Sequence, residues 1–382
     1  MKTAIKTILI VIVLSASAGQ AFAYPPDNAA VLYYKAFMLL EEPNDAVGRM
    51  LRGLSDGNNG LNEQIRQYVE KNRKVIDEII TAAEIKNCDW GLDFSEWFDT
   101  ELPHLSKCRQ MAYILAADAK IFAEKGDYGE ALERCITIHN MGIHVGDDTI
   151  IQRLVGMALG RTANGCIVDI LPLISDNSEM LEKLRWRLVD ISSRCPSLKV
   201  AVAKEAEIIG KQINRKTVLS VAEVMDEPCD VTREILQADD EYFAMAREYY
   251  QGIMAKVQSY FDLPYSEAIQ RFEDLDKETE KDRAEKPEAF ITRFLFPAIS
   301  RIRMIEARDK THLNAVLTGI DIYLIRAKTG KLPDELPAGL PKDMFSGKDF
   351  LYEKTDDGFT LTGQGKDLDK EIVHQYEFKV VK

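Results

Sequence analysis

The sequence predicts a mainly α fold, in which an antiparallel bundle of helical hairpins is followed by a long helix and a small three-stranded antiparallel sheet. Apolar residues recur at helical spacing from residue 27 to about residue 326. Proline, glycine and turn-forming residues interrupt that pattern, as they do between helices joined by short loops. After Gly330 the pattern changes to a loop-rich stretch and then to strand-like alternation. We therefore predict a helical domain over residues 24–286 and an α+β module over residues 287–382.

The first helices are predicted from one-sided patterning. Apolar residues mark one helical face from Leu61 to Ile80, and a turn cluster at residues 55–60 separates this face from the preceding helix. Two further helices flank Gly126-Asp127, and so short a link requires them to be antiparallel neighbours. Residues 119–132 resemble one tetratricopeptide hairpin. Because no copies follow at a 34-residue period, we predict a hairpin and not a repeat array.

The remaining helices are bounded by turn and cap residues. The sequence predicts helices over residues 148–170, 178–194, 198–224 and 232–260, with Pro172, Pro196 and Pro228 in the gaps. Another helix is expected to start near Ser266, a candidate cap. The mixed-charge run at residues 273–286 is typical of a solvated helix end or an exposed linker.

The sheet is predicted from three short segments near the C-terminus. Residues 349–353 and 359–362 have strand character, and the intervening residues 355–358 are typical of a hairpin turn. Tyr376, Phe378 and Val380 alternate with charged residues, which predicts a third strand.

The N-terminus has the three-part layout of a secretory signal peptide. Lys2 and Lys6 precede an apolar run at residues 8–14, and Ala21-Phe22-Ala23 offers a small-x-small cleavage pattern. We predict cleavage between Ala23 and Tyr24, which makes the protein secreted or periplasmic. The alternative is an uncut membrane anchor, but a spanning helix needs about 20 apolar residues. No second long apolar stretch follows, so we expect no membrane span after cleavage.

The charge of the chain excludes some partners. Without Lys2 and Lys6, 47 basic residues remain against 62 acidic ones, a net charge of −15. Nucleic-acid binding needs clustered basic residues, so we expect no nucleic-acid partner. An anionic membrane surface is disfavoured for the same reason.

The cysteines allow disulfides in an oxidising compartment. Six cysteines permit 15 complete pairings. Cys88 with Cys108, and Cys195 with Cys229, would each close a modest loop and stabilise the fold by roughly 3 kcal/mol. The alternative is that all six are small buried side chains, and the helical patterns around Cys135 and Cys166 favour it for those two.

The C-terminal run from residue 294 to residue 369 has a recognisable set of residues. They are Pro297, Ala315, Tyr323, Gly330, Pro333, Leu336, Asp343-Met344-Phe345-Ser346-Gly347, Tyr352 and Gly363-Gln364-Gly365-Lys366-Asp367. This run resembles the globular part of the major pseudopilin of type II secretion systems. The whole chain is similar to long exported bacterial proteins, notably of planctomycetes, that end in such a module after a helical region.

Departures from the pseudopilin pattern limit what the resemblance implies. The matching helix lies deep in the chain, so polymerisation into a fibre is not expected. Met344 replaces the family's turn proline, and Gly363 replaces a serine of the last loop, where these pseudopilins hold calcium. Calcium prefers six to eight oxygen ligands. This chain supplies Asp367 and Asp369, with Asp343 as a further candidate, and the alternative is a solvated turn without a cofactor.

The stretch from Asp89 to Glu101 (DWGLDFSEWFDTE) interleaves acids with aromatic residues. Paired carboxylates beside aromatic rings occur in glycoside-cleaving sites, and the candidates here are Asp93, Glu96, Asp99 and Glu101. The alternative is that the aromatic residues anchor this segment on the core.

Other patterns give no catalytic site. Cys135 and His139 are one helical turn apart, but no further pair at ligand spacing completes a metal site. Gly156 and Gly160 favour close helix packing inside the bundle. The sequence has no G-x-S-x-G, P-loop or G-x-G-x-x-G motif.

These observations predict an exported, non-enzymatic binding or structural protein of the cell envelope, with a protein or an envelope component as its partner. The alternative is an envelope hydrolase that uses the carboxylates of residues 89–101, with glycans as its candidate substrates. The patterns leave the oligomeric state open.

Overall fold

The computed structural model describes residues 27–94, 100–146, 149–224, 235–286, 288–289 and 299–380. The predicted cleavage site between Ala23 and Tyr24 lies outside these residues, as do Glu96, Asp99 and Cys229. The structure confirms the predicted fold class: mostly helices, with a small antiparallel sheet at the C-terminus. The helices are α1 (Ala29–Leu39), α2 (Asp45–Ser55), α3 (Glu63–Lys71), α4 (Arg73–Glu84), α5 (Pro103–Glu124), α6 (Tyr128–Val145), α7 (Ile150–Ile170), α8 (Ser178–Arg194), α9 (Leu198–Gln212), α10 (Arg215–Val224), α11 (Asp240–Tyr260), α12 (Tyr265–Glu285) and α13 (Ile299–Thr329).

The sheet follows the long helix α13 and has the order β1-β2-β3, from β1 (Leu351–Thr355), β2 (Gly358–Asp367) and β3 (Ile372–Lys379). Both strand pairs are antiparallel, and an irregularity in the β2–β3 register falls between Thr362 and Lys366. Phe359 and Phe378 face each other across the sheet and pack beneath Tyr323 of α13. This aromatic contact joins the sheet to the helical part.

Two predicted helices are each divided in two by an asparagine. The face predicted from Leu61 to Ile80 breaks at Asn72, whose buried amide donates to the Tyr68 carbonyl and accepts from the Glu41 backbone N–H. The helix predicted over residues 198–224 breaks before Asn214, whose side chain caps the next helix at Thr217. Asparagine competes for backbone hydrogen bonds in this way, so apolar periodicity alone could not show either break.

Two further helices begin at other residues than the sequence predicts. Helix α12 begins at Tyr265 after Pro264, so Ser266 lies inside the helix and does not cap it. Helix α11 begins after Asp239, whose side chain accepts from the Tyr242 N–H.

The predicted hairpin around Gly126 is present as α5 and α6. Gly126 has a φ of +81°, a left-handed conformation that glycine adopts without strain. Helices α6 and α7 then cross with their backbones almost in contact, because a Cβ on Gly156 would lie 2.4 Å from the Gly142 carbonyl oxygen. This confirms the close packing predicted for Gly156.

The apolar interior forms two clusters. One contains side chains of α1–α8, the second half of α13 and the sheet. The other contains side chains of α9–α12, the start of α7 and the first half of α13. The long helix and α7 contribute to both clusters, so the region between them lies against α7 and α13. The domain boundary at residue 286 stays a prediction.

Among the described residues, one helical stretch, residues 150–174, is long and apolar enough to cross a bilayer by length and composition. It comprises α7 and a short 3₁₀ helix (Leu171–Ile174). In the most apolar 18-residue segment of this stretch, 56% of the segment is buried inside the protein. That burial is typical of a central core helix.

Candidate functional site

A cavity of about 160 Å³ lies where the two apolar clusters meet, and several charged and polar groups face it from a mainly apolar wall. It is bounded by α6, α7, the end of α8, the loop before α9, and α13. The lining residues are His139, Gly142, Ile143, Arg153, Gly156, Met157, Gly160, Asn164, Ile191, Ser192, Cys195, Pro196, Ser197, Asp309, Lys310 and Leu313. Junctions between packed units are frequent positions for ligand sites.

Glycines on α7 give the cavity its space. The contact between Gly142 and Gly156 draws α6 and α7 together on one side. On the next turn, a Cβ on Gly160 would lie 3.6 Å from His139 Nδ1 and 4.0 Å from Asp309 Oδ1. The absent side chain therefore leaves a gap to which both functional groups are close.

Arg153 is the most unusual group in this cavity. The residue is only 4% exposed, and the Nε atom of its guanidinium has no hydrogen-bond partner. Within the described part of the chain, no carboxylate forms an ion pair with it. Removing a guanidinium from water without a partner costs several kcal/mol, so a buried arginine normally has an acceptor.

Asp309 lies on α13 across the cavity. Burial raises the pKa of its carboxyl to about 6, although Arg153 and Arg161 act in the opposite direction. None of the described residues forms a hydrogen bond or an ion pair of 4.0 Å or less with this carboxylate. Asp309 is therefore a second polar group without a direct partner in the same cavity.

The neighbouring charges on α13 are paired. The Glu306 carboxylate lies 2.6 Å from Arg303 and 2.9 Å from Lys310. Burial opposes ionisation of Glu306, but Lys310, Arg303 and Arg153 outweigh it and hold its pKa below the usual value. Lys310 lines the cavity and shares the Glu306 carboxylate with Arg303.

His139 presents a neutral ring. Its Nε2 lies 3.0 Å from Asn164 Oδ1, which can only accept, so Nε2 carries the proton and Nδ1 has the lone pair. Burial lowers the pKa of His139 to about 4. Together, the cavity offers a cation, a carboxylate and a neutral acceptor.

Another cavity between helices has charged residues that are already paired. A groove of about 300 Å³ separates α6 from α8, and its lining includes Glu133, Lys183 and Arg187. Glu133 forms ion pairs with both basic residues. Its charges therefore have partners, and nothing in this groove calls for a ligand.

The cysteines predicted to pair are thiols in the structure where it describes them. Cys88 and Cys108 are close enough that the Cys88 charge raises the pKa of Cys108, which burial raises further. Cys195 lines the cavity, and burial raises its pKa while Arg153 beside it acts in the opposite direction. The disulfide predictions remain predictions.

The acidic stretch from Asp89 to Glu101 begins with an anchored aromatic ring. Trp90 is buried, donates from Nε1 to the His144 carbonyl at 2.8 Å and stacks on His104. Asp93 and Glu101 are exposed, and Glu96 and Asp99 lie outside the described residues. The contacts of Trp90 support anchoring of this segment on the core.

The three candidate calcium ligands do not converge on a common position: Asp343 has one set of partners, and Asp367 and Asp369 have another. Asp343 is fully buried and accepts from the backbone N–H groups of Phe345, Gln364 and Gly365. Asp367 and Asp369 share the guanidinium of Arg308 instead.

No group of three or more His, Cys, Asp or Glu side chains among the described residues could hold a metal ion. The calcium site therefore stays a prediction. For Asp367, burial opposes ionisation, but Arg308 and His374 outweigh it and lower the pKa.

Sequence reasoning did not select Arg153, Asn164 or Asp309 as site residues. Their one signal was the presence of charged and amide groups in otherwise apolar helical segments. The side chains meet because α7 packs against both α6 and α13, a pairing that no local pattern encodes.

Comparison of the chain with protein-family models, with curated proteins and with solved structures found no match.

Proposed function

We propose that this protein is an exported, non-enzymatic binding protein of the cell envelope that takes a small polar molecule into the cavity between α6, α7 and α13. The observation that carries the proposal is Arg153, a guanidinium that is buried without a partner for its Nε. A bound anion would accept a hydrogen bond from this donor and balance the buried positive charge.

The size of the cavity supports a small ligand. A volume of about 160 Å³ is similar to that of an engineered apolar cavity of about 150 Å³ that binds benzene, so it accommodates a small molecule. The apolar side chains of Met157, Ile191 and Leu313 in the lining would contact the uncharged part of the ligand.

A pair of glycine variants tests the cavity as the binding site. Gly160→Val fills the gap near His139 and Asp309, whereas Gly165→Val on the same helix enters open space. We expect the wild type and Gly165→Val to retain a small molecule from an extract of the producing cells, detected by native mass spectrometry. Gly160→Val should retain none, and equal retention by all three would contradict the proposal.

The envelope location has its own test. Cleavage after Ala23 gives a mature chain that begins at Tyr24, so the intact mass of the protein from the producing cell identifies the processed form. A chain of full precursor mass in the cytosol would remove the export part of the proposal and leave the ligand site unaffected.

A further inference from the structure

Arg153 and Asp309 line the cavity with opposite charges, and this points to the chemistry of the ligand. Arg153 on α7 has an unsatisfied Nε donor, and Asp309 on α13 has no hydrogen-bond donor or cation within bonding distance among the described residues. Nearby charges do not need the ligand, since Glu306 already pairs with Arg303 and Lys310.

The Arg153 end of the cavity suits a carboxylate. A guanidinium binds a carboxylate through charge-assisted hydrogen bonds, which are about twice as strong as neutral ones. The N-cap of α9, Ser197, lines the same cavity. The positive end of a helix dipole also favours an anion.

The Asp309 end suits a hydrogen-bond donor with positive charge. Asp309 Oδ1 and His139 Nδ1 both lie within 4.0 Å of the position that a Cβ on Gly160 would occupy. Both atoms are acceptors, because the His139 proton is on Nε2 toward Asn164. An ammonium group has three donors and could serve both acceptors at once.

We infer that the cavity binds the zwitterion of a small amino acid, with its carboxylate on Arg153 and its ammonium between Asp309 and His139. This inference rests on the proposed function and names the ligand class of the same cavity. The volume and the apolar wall formed by Met157, Ile191 and Leu313 restrict the side chain to a small, uncharged one.

Calorimetric titration of the purified full chain tests the inference with defined probes. L-Alanine carries both charges, propionate lacks the ammonium, ethylamine lacks the carboxylate, and lactate replaces the ammonium with a hydroxyl. We expect propionate and ethylamine each to bind about 10- to 100-fold more weakly than alanine, the loss typical of one charged hydrogen-bonding contact.

Two variants separate the two ends of the ligand. Arg153→Met should lose about 100-fold in alanine affinity. It should also melt at a higher temperature than the wild type, because a buried charge without a partner has been removed. Asp309→Asn should weaken alanine binding more than propionate binding, because propionate has no group that donates to Asp309, so the difference between the two ligands should narrow.

Other results would overturn the inference. Propionate or lactate binding as tightly as alanine would mean that the cavity recognises only the anion. A lower melting temperature of Arg153→Met, with alanine affinity unchanged, would mean that Arg153 is purely structural. If no probe binds while the wild type still retains a molecule from extract and Gly160→Val does not, the amino acid is wrong and the proposed function stands. If neither probes nor extract give binding, both fail.

Discussion

Two buried arginines with opposite surroundings show how neighbours decide what a residue does. Arg308 gives Nε to Asp367 at 2.6 Å and Nη2 to Asp369 at 2.8 Å, so its charge is neutralised inside the fold. Arg153 is as deeply placed but has no carboxylate partner in the described part of the chain. The first arrangement is explained by structure alone, and the second calls for a ligand.

Removing the charge of Asp309 should stabilise the protein at neutral pH. Its folded pKa of about 6 lies above the usual value of 3.8, so the folded state holds a proton that the unfolded state loses as pH rises through this window. The contribution of Asp309 to stability therefore falls as the pH rises from about 4 to 6, and its full penalty is present above pH 6. We expect Asp309→Asn to be more stable than the wild type by about 1–3 kcal/mol at pH 7.5 in urea denaturation.

That difference should shrink as the pH falls toward 4. The exposed Asp56 provides the control, since Asp56→Asn should change stability by less than about 0.5 kcal/mol at either pH. A destabilised Asp309→Asn at pH 7.5 would show that the carboxylate has a structural partner.

Removing Arg308 should destabilise the protein strongly. Asp367 is fully buried, and Arg308→Gln would leave its charge uncompensated, which typically costs about 3–5 kcal/mol. The lowered pKa of Asp367 gives stability that is present above pH 3.8 and is lost as pH falls through the folded pKa. The variant should therefore lose less stability at low pH, as measured by denaturation at pH 7 and pH 3.

Arg301 is the matched control, because its side chain is 68% exposed and, among the described residues, its ion pair is with Asp369 at 3.2 Å. Arg301→Gln should cost less than about 1 kcal/mol. If calcium neutralised Asp367 in solution, EDTA would lower the melting temperature of the wild type, and Arg308→Gln would be mild in the presence of calcium.

At the scale of elements, the crossing of α6 and α7 sets the geometry of the cavity. The backbones approach at Gly142 and Gly156 so closely that neither position has room for a side chain. Capping supports the same helix, because Thr149 and Gln152 form a capping box at the start of α7. The backbone N–H of Ile150 also donates to Glu205 of α9 at 2.7 Å.

Alanine at Gly156 should separate the two helices. Its Cβ would lie 2.4 Å from a backbone oxygen that no side-chain rotation can move, so we expect a loss of about 1–3 kcal/mol. Gly165→Ala on the same helix meets nothing within 4 Å and should gain about 0.5–1 kcal/mol from helix propensity. Chemical denaturation of both variants checks this, and equal stabilities would mean that the helices do not cross at Gly156.

At the scale of the whole molecule, the interior is rich in neutral histidine. Burial lowers the pKa of His104, His139 and His312 to about 4 in each case. The rings belong to α5, α6 and α13, so the effect involves the bundle as a whole. Upon unfolding, each ring returns to a pKa near 6.5 and takes up a proton.

Stability should therefore fall as the pH is lowered from about 6.5 to 4. In that window the unfolded chain binds up to three more protons at these rings than the folded chain, whereas the raised pKa values of Asp309, Glu205 and Asp276 act in the opposite direction. Urea denaturation over this range measures the slope, and His139→Gln should reduce it by about one proton. A flat profile would mean that these rings are protonated in the fold.

The sequence by itself determined the class of the fold. The helices, the hairpin at Gly126, the close approach at Gly156 and the three C-terminal strands follow from periodicity and turn residues, which act between neighbours along the chain. The breaks at Asn72 and Asn214 escaped this reasoning because each depends on a side-chain hydrogen bond that competes with the helix.

Only the tertiary structure decided which polar groups meet. Helical periodicity predicts that one face of α7 and one face of α13 are buried against other helices. It does not predict which helices these are. The packing of these two helices against each other and against α6 brings Arg153, Asp309 and His139 around one cavity. A site built by contacts between distant segments depends on this packing, and no local pattern in the chain could reveal it.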